Sequence, residues 1–240
     1  MKTIIILLLV TAVYSKSVER RDPMINEGLF EGDIRGIDPN QDRNAVPKDS
    51  MRWPNGVIPY EVDPALYGIW ELLMKSIRHI EDNSCIRFVQ RTHEKNYIRI
   101  IKGNGCWSDW GRAGNGEQPV SIGEGCQYFG TIVHELMHAV GFGHEHSRED
   151  RDDYITIHWE NINPRSHNGF KKYIPEQQRL LNRFDYDSIM MYGERSFSIR
   201  FDLKSMTAKD GTFLEEVYTK PGLSPIDIQR IALLYNCPRK

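Results

Sequence analysis

The sequence has few cysteines, no excess of either charge, no internal repeat and no long hydrophobic run beyond residues 1–15. A net charge of −2 leaves no field that would draw in nucleic acid or an anionic membrane surface. No stretch reaches the roughly 20 apolar residues of a membrane-spanning helix, so neither nucleic acid nor membrane is expected as a partner. The four cysteines, Cys85, Cys106, Cys126 and Cys237, include no C-x-x-C pair of the kind that builds zinc ribbons. Gly111, Gly114 and Gly116 lack the Gly-Lys-Ser/Thr and the following helix of a phosphate-binding loop, and read as a surface loop.

What is present is ordinary globular composition, 40% hydrophobic and 27% charged over 240 residues, enough for one substantial core plus processing segments. Lys2, the apolar run Ile4 to Val13 and the small Ser15 read as a secretory signal peptide over residues 1–15. Export to an extracellular, oxidising compartment makes disulfides the expected state of the cysteines, and four cysteines allow three pairings that spacing does not choose between. Residues 16–43 form a charged segment without helical or strand periodicity, containing Arg20-Arg21 and ending at Arg43.

From there the pattern becomes that of a folded domain. Trp53 to Tyr60 reads as a turn entering a strand, and Leu66, Ile69, Trp70, Leu73, Ile77 and Ile80 form a helical stripe over 64–82. Cys85 to Gln90 and Tyr97 to Lys102 alternate as strands, Trp107 to Gln118 reads as a glycine-rich loop, and Pro119 to Ile122 as a further strand. The charged run Glu145 to Tyr154 reads either as a solvated loop or as a buried ion-pair network. Residues 194–222 read as irregular. Ser224-Pro225-Ile226-Asp227 then supplies a cap, a proline at the first helical position and an acid near the positive dipole end, opening a final helix that ends near Asn236.

One stretch carries chemistry. His134-Glu-Leu-Met-His138 places two imidazoles four apart on one helical face, able to meet a single metal ion, with Glu135 beside them as a general base. His144 could not reach the same ion on a continuing helix. Gly141 and Gly143 are expected to break the helix and let it swing back. Three histidines leave a tetrahedral zinc one open position, the arrangement of a catalytic site. Four of the eight histidines fall within His134 to His146.

The spacing through Gly141 and His144 is the metzincin signature. Together with Gly-Phe-Gly-His144-Glu145-His-Ser-Arg, Asn44-Ala-Val, Trp53 to Tyr60, Gly105-Cys106-Trp-Ser and Tyr186 to Gly193, it makes the chain resemble the astacin family of zinc endopeptidases over roughly residues 30–238. The resemblance implies an α+β, two-lobed metzincin fold. Its upper lobe holds a mixed five-stranded sheet and two long helices, and its lower lobe is largely irregular and ends in the C-terminal helix. It also implies one Zn2+ per chain and the disulfides Cys85–Cys237 and Cys106–Cys126. Met190 matches the Met-turn beneath the zinc, and Tyr192 the tyrosine that ligates zinc at rest and then stabilises the reacting oxyanion. Met191 stands where the family usually has histidine, which puts the local packing or cleft lining in question.

In the implied mechanism zinc acidifies a water, Glu135 takes its proton during attack on the peptide carbonyl, and no serine or cysteine nucleophile is needed. Phe30-Glu-Gly-Asp33-Ile34 resembles the family's propeptide motif, in which Asp33 would occupy the open zinc position; no cysteine precedes Cys85 to do so instead. The expected domains are a signal peptide (1–15), a propeptide (16–43) and a protease domain (44–240). A trypsin-like protease would cut after Arg43, and the new ammonium of Asn44 would be buried near Glu145. Protein or peptide substrates, a monomer and no accessory module after Cys237 are expected. Cleft residues are expected in 107–127 and 188–222. An inactive secreted zinc-binding module or toxin component is the alternative; it would normally lack Glu135 or a ligand, and neither is missing.

Overall fold

Two helices and a sheet carry the apolar stripes read above. The computed structural model describes residues 22–36, 49–173 and 179–238. The signal peptide, Arg43 and Asn44 lie outside the described residues. The main sheet contains β1 (Ile34–Arg35), β2 (Val57–Val62), β3 (Arg87–Gln90), β4 (Tyr97–Ile101), β5 (Cys106–Asp109) and β6 (Glu117–Ile122), in the order β1-β5-β6-β4-β2-β3. Only β5 against β6 is antiparallel. The expectation of five strands is corrected to six, because the upstream segment adds β1 to the free edge of β5, with Ile34 opposite Ser108 and Arg35 opposite Asp109.

The Trp107–Gln118 loop is also corrected. Cys106–Asp109 is a strand whose Cys106 and Ser108 are buried, and the turn joining it to β6 is confined to the glycine-rich residues 110–116. The expected helix over 64–82 divides into a 3-10 segment, Pro64–Ile69, and α1 (Trp70–Asp82). Leu73, Ile77 and Ile80 of α1 are wholly buried, and removing each from water is worth about 1.5–3 kcal/mol. The second helix, α2 (Phe129–Val140), is buried from Gly130 onward, so it runs through the interior rather than over a surface. Its last carbonyls are satisfied from distant parts of the chain. The Trp53 indole donates to Ala139 O at 2.8 Å, the Tyr235 hydroxyl to Val140 O at 2.7 Å and Gly111 N to His138 O at 2.8 Å.

After α2 the chain is mostly irregular, apart from the pair β7 (Ile155–Ile157) and β8 (Met206–Ala208) and the closing α3 (Pro225–Tyr235). Ser224 and Asp227 form a capping box at the start of α3. The Asp227 carboxylate also accepts Ser188 Oγ at 2.6 Å and Ile189 N at 2.8 Å, so the cap reaches into the turn that carries Met190. Disulfides join Cys85 to Cys237 and Cys106 to Cys126, across 152 and 20 residues of sequence. On a loop-closure argument these restrict the unfolded chain by about 5 and about 3 kcal/mol. No helix among the described residues is long and apolar enough to cross a membrane.

Candidate metal centre

The helical repeat brings His134 and His138 to one face of α2, their rings 4.6 Å apart between centroids. Gly141, at φ +126°, ends the helix and receives two carbonyl contacts at its N–H. Gly143 does different work from the one its spacing suggested. Its φ is not positive, but a Cβ there would lie 2.5 Å from both Trp110 and the Tyr173 hydroxyl. Space, rather than left-handed backbone, requires that glycine. His144 then returns to within 3.2 Å, Nε2 to Nε2, of His134.

Asp33 closes the group. Its Oδ2 lies 3.2 Å from Nε2 of both His134 and His144, and Oδ1 lies 3.4 Å from Nε2 of His138. All four side chains are fully buried, and their ligand atoms lie within 4.8 Å of one another. A tetrahedral zinc with bonds of about 2.0–2.1 Å sets its ligands about 3.3 Å apart, which these separations match. Asp33 Oδ1 and His138 Nε2 are buried without a hydrogen-bond partner, as atoms turned toward a shared cation would be. The residues present therefore fit one zinc ion.

Each imidazole is oriented through its other nitrogen. His134 Nδ1 meets Ile189 O and His138 Nδ1 meets Phe142 O, both at 2.7 Å. His144 Nδ1 lies 2.5 Å from Oε2 of Glu31. These contacts fix the tautomer that leaves each Nε2 lone pair facing inward. Glu31 also accepts the Tyr173 hydroxyl at 2.7 Å, and that hydroxyl in turn accepts His144 N–H at 3.1 Å. Glu31 reaches this position from a left-handed backbone conformation, φ +53°.

The electrostatics follow from burial and neighbours. Burial alone would raise Asp33, but His144 and His138 hold its carboxyl well below the usual range. Burial would lower His144, yet Asp33 and Glu31 raise it to about 9. Glu135 is pushed well above its ordinary value by burial and then by the Asp33 charge, and neither of its oxygens has a partner. The Tyr192 hydroxyl donates to Asp33 Oδ2 and is raised by burial and by that carboxylate.

Met190 is buried and its carbonyl accepts Glu145 N–H at 2.9 Å. Met191 is wholly buried in the main core. The buried Lys220 ammonium donates to Ser188 O at 2.6 Å and Met191 O at 2.7 Å, a second tie on the turn that Asp227 also holds. Glu145 is fully buried and takes a two-pronged bond from Arg230, at 2.6 and 2.7 Å, with Arg148 at 3.5 Å. The charged run is thus a buried network at Glu145, Arg148 and Arg151, while Asp152 and Asp153 are exposed.

Sequence reasoning did not find Glu31, Tyr173 or Lys220. Glu31 had a signal, since it stands two residues before Asp33 in the same short motif. Tyr173 and Lys220 had none, because their partners lie far away in sequence.

A helix-borne pair of histidines, a third beyond a glycine turn and an adjacent buried glutamate define a zinc metalloprotease of the metzincin type. Residues 45–236 match the Astacin model, peptidase family M12A, and the chain belongs to the astacin family. It is 42% identical over 227 residues to astacin-like metalloprotease toxin 1 of Loxosceles intermedia, covering 92% of this chain and 86% of that one. It is also 42% identical over 225 residues to zinc metalloproteinase nas-6 of Caenorhabditis elegans, covering 90% of this chain and 65% of that protein. Among solved structures it resembles high choriolytic enzyme 1, a hatching-enzyme zinc protease of Oryzias latipes. The TM-score there is 0.74 at 40% identity, over 81% of this chain and all of that one.

Proposed function

We propose that the protein is a secreted, zinc-dependent endopeptidase made as a zymogen, acting on extracellular proteins, with residues 1–15 as signal peptide, 16–43 as propeptide and 44–240 as the protease domain. The observation that carries the latent state is Asp33, buried among the three histidines and hydrogen-bonded by Tyr192. A carboxylate there fills the position that water must occupy for hydrolysis. Glu31 and Ile34 reinforce it, one on His144 and the other on the edge of β5.

Loss of the propeptide would free three groups. The β5 edge would offer unpaired N–H and C=O groups to an extended substrate. Tyr192, released from Asp33, would donate its hydroxyl to the oxyanion that develops on the scissile carbonyl. Glu135, relieved of the Asp33 charge but still desolvated, would take a proton from the attacking water and return it to the leaving amine. Zinc, when bound, supplies the Lewis acidity that makes water nucleophilic near neutral pH.

Cleavage after Arg43 by a trypsin-like protease is the activating step in this reading, and the ammonium of Asn44 would join Glu145. That carboxylate is already paired with Arg230, so the ammonium would extend an existing network rather than rescue an isolated charge. The active form is expected to be a monomer. The test is hydrolysis of casein or gelatin by the zinc-loaded full chain before and after trypsin treatment, with and without a chelator. Chelator-sensitive hydrolysis that appears only after trypsin supports the reading. Equal hydrolysis by the untreated chain defeats the zymogen, and none in either state defeats the protease.

A further inference from the structure

Arg35 stands two residues beyond Asp33 on β1, and its side chain is held in a way that latency does not require. Its guanidinium makes a two-pronged bond to Asp109, Nε to Oδ1 at 2.6 Å and Nη2 to Oδ2 at 2.9 Å. The same guanidinium lies over the Trp107 ring, 5.2 Å from its centroid. Asp109 and Trp107 both belong to β5, the edge strand to which the upstream segment is paired, and Asp109 is the register partner of Arg35. The Asp109 side chain is only 9% exposed, whereas that of Arg35 is 41% exposed. With Arg35 in place the receptor carboxylate is covered, while the occupant lies at the surface. Asp109, then the more distant Glu117, hold the guanidinium more firmly protonated than usual.

A carboxylate with both oxygens presented to a planar fork, flanked by an aromatic face, is a recognition site for a guanidinium and, less well, for an ammonium. In the processed enzyme Arg35 is gone, and the pair would face the same edge that a substrate strand must use. Arg35 lies two residues past Asp33, and two residues of chain span at most about 7 Å, which bounds the distance from the position Asp33 holds to this receptor.

We propose that in the processed enzyme Asp109 and Trp107 form a subsite selecting substrates with an arginine or lysine about two residues to one side of the bond cut. The proposal rests on departure of the upstream segment, as described for the proposed function. Arg35 is then a surrogate for the substrate's basic side chain.

The test uses the zinc-loaded full chain processed with trypsin, which is then inhibited. The substrates are quenched fluorescent peptides of one uncharged sequence. A single arginine, its neutral isostere citrulline, or glutamate is walked through three positions on each side of the scissile bond. At one position arginine is expected to exceed citrulline at least tenfold in kcat/KM. Asp109→Asn is expected to bring that ratio within about twofold of unity, and Asp109→Lys to make glutamate the preferred residue. An arginine-to-citrulline ratio near one at every position in the wild type overturns the subsite, even if neither variant folds. So does an arginine preference that survives Asp109→Asn. Absence of chelator-sensitive cleavage of every peptide, the uncharged parent included, is instead the failure of the protease reading itself.

Discussion

The Glu31 carboxylate, carried upstream of the matched family domain, lies 2.5 Å from Nδ1 of His144, the third histidine of the metal group. On the proposed removal of that segment, a group absent from the processed enzyme orients one of its metal ligands. Losing such a partner typically costs 10–100-fold in metal affinity. Glu31→Gln is expected to weaken zinc binding by the unprocessed chain about tenfold or more, measured by competition with a chromogenic chelator. The processed chain, which no longer contains residue 31, should be unchanged; an equal effect in both forms would show that the substitution acts through misfolding.

Asp33→Ala should uncover hydrolysis in the unprocessed chain. The remaining contacts of residues 22–36 with β5 would still obstruct the cleft, so partial rather than full activity toward a small peptide is expected. An Asp33→Ala chain as silent as the wild type would mean that latency rests on the strand contacts alone.

Glu135→Gln should leave zinc content near one per chain while lowering kcat/KM by about 10²–10⁴-fold, the usual contribution of a positioned base. Its oxygens hold no structural hydrogen bond, so the melting temperature should hardly fall. Metal analysis and a melting curve on the same sample separate the two effects.

Latency should depend on pH through Asp22. Burial, offset in part by the Met24 N–H, pushes its carboxyl up from the ordinary 3.8 to about 6. The docked segment therefore binds a proton more readily than the released one. This contribution to docking is complete below about pH 4 and is lost as pH rises through 6, by roughly 3 kcal/mol at most. Between pH 5 and 7.5 the unprocessed wild type should become more susceptible to clipping within residues 22–36, relative to Asp22→Asn. Parallel profiles for the two proteins would exclude Asp22 as the cause.

Lys220→Met should destabilise the fold. The ammonium is 4% exposed and donates to two buried carbonyls of the Met190 turn, which the methionine would leave unsatisfied. A loss of about 2–4 kcal/mol is expected, seen as a fall in Tm of roughly 4–16 °C for a domain of this size. The defect should grow as pH rises from about 8 toward 10.5, because the lysine, lowered by burial to about 8, is neutral in the fold over that range while the unfolded chain still binds the proton.

Local patterns explain which parts of this molecule could be read in the sequence. His134 and His138 are four apart on a helix, and Ser224 and Asp227 complete a cap three apart, so both were legible. β1 is a strand of two residues, too short for periodicity, and exists because β5 has a free edge to pair with. Glu31 meets His144 across 113 residues, and Lys220 meets Ser188 across 32. Such contacts leave no mark on spacing. The role of Gly143 was misread because crowding by Trp110 and Tyr173 and a left-handed turn both call for glycine.

Residues 22–36 and the domain they cover belong to one polypeptide, and that fact sets the scale of their affinity. A tethered segment works at an effective concentration on the order of millimolar, so even modest intrinsic binding keeps the edge of β5 covered. One cut within residues 37–48 would turn the same contacts into a bimolecular equilibrium at the protein's own dilute concentration. Release would then be driven by dilution, and the segment would need no separate signal to leave.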